Sequence, residues 1–102
     1  MEVYTKMYNT PNGQVEGIQA KWPGFSILLI AGTKGFLACP AIDTEACAGY
    51  GVAAALVESS ADNPIGTLER FLNRKITKTN AKAEALGIRE GMDVTDALAI
   101  IA

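Results

Sequence analysis

The sequence predicts a single-domain α/β fold of the α+β type, a two-layer sandwich with helices over one face of a mainly antiparallel mixed sheet. Three observations predict it. Residues 3–8 alternate between apolar and polar or aromatic side chains, as a half-buried strand does. Residues 25–31 are almost all apolar, which suits a covered strand. Residues 58–102 hold thirteen of the twenty charged residues, which is typical of amphipathic helices over a core.

The length predicts one domain over residues 1–102, with residues 1–24 as an N-terminal β-hairpin and 25–102 as the α/β core. A chain of 10.7 kDa should fold to a surface of about 5,500 Å². About 65% of the unfolded surface is then buried, so the core needs neither disulfides nor a structural metal.

The N-terminal elements are predicted as strands joined by tight turns. The first strand ends at a turn over 9–13, where Asn12-Gly13 tolerates positive φ. The second strand ends at Pro23-Gly24, and the third covers 25–31. A turn over 32–35 leads to a fourth strand over 36–39, which Pro40 ends.

Beyond Pro40 the elements become shorter. Asp43 is a candidate N-cap for a helix over 44–49. The three alanines within 52–57 favour a helix, but the flanking glycines and the short length favour a central strand of small side chains, which is the interpretation adopted. The polar stretch 59–66 is predicted to be a loop.

The remainder is predicted to be helical. Thr67 caps a helix that buries Leu68, Phe71 and Leu72. A second helix ends at Leu86 before Gly87, and a last helix covers 94–101 after Asp93.

The composition excludes several classes of catalytic site and metal site. Without histidine there is no Ser-His-Asp triad, no Cys-His pair and no HExxH zinc site, and two cysteines cannot form a four-cysteine zinc site. We therefore expect no metal and no cofactor. A net charge of −2 argues against DNA binding, and the sequence contains no apolar stretch long enough to span a membrane. A cytoplasmic protein is the expectation.

The order and spacing of several short motifs resemble the YunC-like family of small bacterial and archaeal domains. The motifs are Trp22-Pro23-Gly24, Lys34-Gly35-Phe36, Cys39-x-x-x-Asp43, Thr67-Leu68-Glu69 and Ala83-x-x-Leu86-Gly87-Ile88-x-x-Gly91-Met92. The resemblance covers roughly residues 12–101 and looks closest to archaeal members. It implies the fold and an N-terminal β region that mediates tetramerisation, but no reaction. Pro40 departs from the glycine that usually follows the cysteine in that family, and 59–66 carries an insertion.

Cys39 and Asp43 are the candidate catalytic pair. A thiol before a helix N-terminus gains a positive dipole and unpaired N–H groups, which favour a thiolate and a bound anion. The simpler interpretation, a buried cysteine and a helix cap, is the favoured one.

A basic series recurs at intervals of about four residues, which on one helix would form a stripe for RNA or another polyanion. Its members are Arg70, Arg74, Lys75, Lys78 and Lys82. Glu69 and Glu84 interleave with them, so a solvated face is favoured over an anion-binding site.

The hairpin concentrates aromatic and apolar side chains, which suit an oligomer interface and ordinary core packing equally well. The tetramerisation implied by the resemblance to the YunC-like family favours the interface. The predicted interface residues are Val3, Tyr4, Met7, Tyr8, Ile18 and Trp22. The resulting hypothesis is a homo-oligomer, a dimer or a tetramer, without an assignable reaction. Small-anion binding or catalysis at Cys39, and weak RNA binding at the basic series, are the alternatives.

Overall fold

The computed structural model describes all 102 residues as one six-stranded sheet with four helices, which confirms the predicted fold class. The strands are β1 (Glu2–Thr10), β2 (Gly13–Trp22), β3 (Phe25–Ala31), β4 (Gly35–Ala38), β5 (Ala53–Val57) and β6 (Ile76–Thr79). The helices are α1 (Thr44–Ala48), α2 (Leu68–Phe71), α3 (Ala81–Leu86) and α4 (Val94–Ile101). The strands lie in sequence order, and only the β4–β5 pair is parallel.

The β1–β2 hairpin pairs in register from Glu2 opposite Lys21 to Thr10 opposite Gly13. Gly13 has a φ of 134°, and the Thr10 hydroxyl donates to its carbonyl at 2.7 Å. The predicted turn is confirmed, although the strands extend closer to Asn12 than the sequence suggested.

One face of the sheet carries the core. Its strand residues Val15, Leu28, Ile30 and Leu37 are buried with side chains from the helices. The helices contribute Leu68, Phe71, Ala83, Val94, Ala97, Leu98 and Ile101. The folded surface measures 5606 Å², close to the value expected from the mass.

The stretch predicted as a central strand over 52–57 is β5, which begins one residue later, at Ala53. Ala53, Ala54 and Ala55 are all buried. Gly35 lies opposite Ala53, and a Cβ at Gly35 would come within 2.6 Å of the Ala53 carbonyl oxygen. The glycine at position 35 therefore allows β4 to approach the backbone of β5 without a steric clash.

The prediction that the chain is helical from Thr67 onward is wrong at residues 76–79, which form β6. Two of its four residues are exposed, and its β-branched side chains suit a pleated surface better than a helix. Its pairing with β5 also satisfies backbone groups that a helix there would leave unpaired at the edge of β5. The basic series consequently does not follow a single helix.

The other helix predictions are confirmed. The Thr67 side chain accepts the Arg70 backbone N–H at 3.2 Å at the start of α2. Gly87 ends α3 with a φ of 104°. Asp93 precedes α4 without a side-chain cap bond, because its carboxylate pairs with Lys75 instead.

Candidate functional site

A cleft of about 600 Å³ opens beside the core at one end of the sheet. Its walls are the β2–β3 turn, the start of the β4–α1 connection and the loop between β5 and α2. The lining residues are Lys21, Trp22, Gly24, Phe25, Ser26, Leu28, Cys39, Pro40, Ala41, Ser59, Ser60, Ala61, Pro64, Ile65 and Gly66.

Cys39 forms part of the cleft floor. Its backbone N–H donates to the Leu28 carbonyl at 2.9 Å, which continues the β3–β4 pairing and turns the side chain toward the core face. Leu28, Cys39 and Ile65 are all buried, so the base of the cleft is apolar. The predicted thiol thus lines a cavity, and both cysteines are free.

Asp43 does not line this cleft. Its carboxylate accepts the Ala46 backbone N–H at 3.0 Å and so caps α1, as the simpler interpretation predicted. Cys39 and Asp43 both lie on the connection between β4 and α1. Only Cys39 lines the cleft, so the two residues do not form a pair there.

Arg74 holds the loop wall of the cleft, a role the sequence did not reveal. Its side chain is only 8% exposed. The guanidinium donates to the carbonyls of Glu58 at 3.2 Å and Pro64 at 2.8 Å. It also donates to the Asn63 carbonyl at 2.8 Å and the Asn63 side chain at 3.1 Å. Five donors in a rigid fork make arginine the side chain that can tie such a loop together.

The other members of the basic series lie on different elements. Lys75 forms an ion pair with Asp93 at 2.8 Å, and this contact raises the pKa of Lys75. Arg70 lies on α2, Lys78 on β6 and Lys82 on α3, all of them exposed. The predicted anion-binding residues therefore lie on several elements and do not form one site. The Arg74 guanidinium is already hydrogen bonded to the loop over 58–64.

The face of the sheet opposite the core is apolar and largely uncovered. We call it the open face. Because side chains alternate along paired strands, its apolar members follow from the register. They are Val3, Met7, Ile18, Ala20, Trp22, Phe25, Ile27, Leu29, Ala31, Phe36 and Leu56, each exposed or half-buried. Only the small Ala38 and Ala54 on this face are buried.

The six predicted interface residues divide between the two faces. Four of them, Val3, Met7, Ile18 and Trp22, lie on the open face. Tyr4 and Tyr8 lie on the core side, where the Tyr4 hydroxyl donates to Glu2 and Tyr8 packs against the core. β1 alternates as the sequence predicts. This alternation places Tyr4 and Tyr8 on the face opposite to the other four predicted interface residues.

Tyr8 carries an unusual hydroxyl. The oxygen is buried and has no hydrogen-bond partner. Burial raises the pKa of Tyr8, and the negative charge of Glu69 raises it further.

None of the four helices is long and apolar enough to cross a membrane.

Comparison with known proteins gives a family but no activity. A family model described as a domain of unknown function, DUF1805, matches residues 38–101. The crystal structure of a protein of unknown function from Thermoplasma acidophilum is similar, with a TM-score of 0.85 at 18% identity. The match covers 99% of this chain and 94% of that one, and at this identity it shows the fold alone. No curated protein matches the sequence.

Proposed function

The chain belongs to the DUF1805 family, a domain of unknown function, and we propose that it acts as a homo-oligomeric domain whose open face packs against another copy of the chain. The observation that carries the proposal is the apolar open face, which extends from β1 to β5.

The exposure of individual residues supports this. Val3 is 57% exposed, Met7 50% and Phe25 55%. Contiguous apolar patches of this extent are uncommon on monomers, because each square ångström left in water forgoes about 25 cal/mol. Glu16 is the only charged residue that the first five strands place on this face, so little desolvation of charge opposes its burial.

The size of the open face suits a stable interface. β1 and β2 have 9 and 10 residues. β3, β4 and β5 have 7, 4 and 5 residues. At about 3.3 Å per residue and about 4.8 Å between strands, the five strands cover about 550 Å² in projection. With side-chain relief this is comparable with the roughly 600 Å² per partner at the lower end of stable interfaces.

Two kinds of contact are available, which is why a dimer or a tetramer is proposed. Two open faces can pack as a sandwich with sheets about 10 Å apart. β1 is in addition an unpaired edge of nine residues, able to pair with β1 of a further copy. The tetramerisation implied by the resemblance to the YunC-like family agrees with the second contact. The two free thiols suit a reducing compartment, and we propose the cytoplasm.

The proposal is tested with two double variants of equal chemistry. Val3→Lys with Ile18→Lys places two charges on the open face, and Val52→Lys with Leu86→Lys places them on partly exposed sites elsewhere. We expect the first variant to elute as a folded monomer in size-exclusion chromatography and the second to keep the wild-type elution. If both variants keep the wild-type elution, the open face is not the interface.

A further inference from the structure

We propose that the cleft beside Cys39 binds a small apolar molecule that carries one carboxylate, which Lys21 recognises. The cleft borders the self-association surface, because Trp22 and Phe25 line the cleft and also belong to the open face. A volume of about 600 Å³ falls within the range of small-molecule pockets, about 300–1,000 Å³.

The lining specifies an apolar body for the ligand. The floor consists of the buried Leu28, Cys39 and Ile65, and Pro40 and Pro64 extend it on two sides. The hydroxyls of Ser59 and Ser60 already accept backbone N–H groups of the loop, from Ile65 at 3.1 Å and Asn63 at 3.1 Å. Each hydroxyl keeps a proton to donate, but the surface that the cleft presents to an occupant is mainly apolar.

The charge pattern specifies a single anionic group. Lys21 is the only charged residue that lines the cleft. The one ion pair of the molecule joins Lys75 and Asp93, so Lys21 has no carboxylate partner, although Glu2 lies opposite it on β1. A carboxylate at the edge of an apolar ligand would form an ion pair with Lys21, whereas Lys21 would repel a cationic ligand.

The loop wall is formed before any ligand arrives. Arg74 makes four hydrogen bonds to residues 58–64, and Gln19 donates to the Gly66 carbonyl at 2.9 Å. A loop held in this way loses little further freedom on binding, which favours affinity.

The test uses two probes with the same ring system, 2-naphthoate and the neutral 2-naphthamide, titrated into ¹⁵N-labelled protein and followed by NMR. We expect saturable shifts in amides of residues 21–28, 39–41 and 59–66, with naphthoate binding about fivefold more tightly, as an exposed ion pair allows.

Variants separate charge from shape. Lys21→Gln should remove the preference for naphthoate, whereas Lys34→Gln, an exposed lysine in the β3–β4 turn, should leave it intact. Ser26→Leu, a half-buried lining position, should weaken both probes. Shifts confined to open-face residues that do not line the cleft, such as Val3, Met7 and Ile18, would overturn the proposal, and so would no saturable shift at millimolar probe or equal affinity for the two probes. Because Trp22 and Phe25 belong to both surfaces, the titration is repeated on the variant with Val3→Lys and Ile18→Lys, where the same cleft shifts are expected without self-association.

Discussion

Arg74 makes two hydrogen bonds to Asn63, since Nη1 donates to the Asn63 carbonyl at 2.8 Å and Nη2 donates to its side-chain oxygen at 3.1 Å. The contact joins the end of α2 to a loop that has no regular secondary structure. The loop in turn forms one wall of the cleft, so a single buried side chain links the packing of the core to the shape of the candidate site.

Replacing Arg74 with Gln should therefore lower the free energy of unfolding by about 3 kcal/mol, because the hydrogen bonds of a buried charged donor to the loop are lost. Urea denaturation measures the change. Arg70→Gln, at an exposed arginine on α2, is the matched control and should stay within about 0.5 kcal/mol of wild type. Similar values for the two variants would contradict the role assigned to Arg74.

Gly32 should not tolerate even alanine. A Cβ there would lie 2.2 Å from the Ile101 carbonyl oxygen, which also accepts the Lys34 backbone N–H at 2.9 Å. Gly32→Ala must therefore displace the end of α4 or the β3–β4 turn, and we expect a loss of about 3 kcal/mol in thermal or urea unfolding.

Gly49→Ala is the control for that experiment. Gly49 has a helical φ of −63°, and its nearest neighbour to an added Cβ is the Ala46 carbonyl oxygen at 3.3 Å. A change within about 0.5 kcal/mol is expected, because the restriction of the unfolded chain by alanine offsets the close contact with the Ala46 carbonyl. A Gly32→Ala protein as stable as Gly49→Ala would show that α4 docks differently.

Tyr8→Phe should stabilise the protein by about 1 kcal/mol at neutral pH, because it removes a buried hydroxyl that has no partner. The ring would still lie 5.4 Å from the Lys6 ammonium. Tyr50→Phe, at a tyrosine that is 86% exposed, should leave stability unchanged. A destabilised Tyr8→Phe variant would indicate that the hydroxyl makes a bond in solution.

The same substitution changes the alkaline limb of the stability curve. The pKa of Tyr8 in the folded protein is raised above the tyrosine pKa in the unfolded chain, which is about 10. The folded state thus keeps its proton longer, and stability falls as the pH rises from the unfolded pKa through the folded one. Tyr8→Phe should reduce that fall in urea midpoints measured between neutral and strongly alkaline pH, and an unchanged slope would contradict the assignment.

The sequence predicted those parts of the fold that local signals determine. Residues 3–8 alternate, Thr67 caps a helix and Gly87 ends one, and each of these signals is complete within a few residues. β6 was missed because it is only four residues long and because its pairing with β5 depends on residues about twenty positions away.

The candidate site was predicted only in part for the same reason. Cys39 was found from its place at a strand end, and it does line the cleft. The contacts of Arg74 with residues 58–64 and the position of Lys21 at the cleft depend on three separate segments meeting. Arginines and lysines on a surface give the same sequence signal whether they hold a loop, face a ligand or contact only water.

Self-association through the open face is the central claim, and the molar mass of the wild-type protein tests it most directly. Size-exclusion chromatography with multi-angle light scattering, at micromolar concentration, should give two or four times the 10.7 kDa of one chain. A single monodisperse species of 10.7 kDa would contradict the proposal, because an apolar face of this size would then be stable in water without a partner copy.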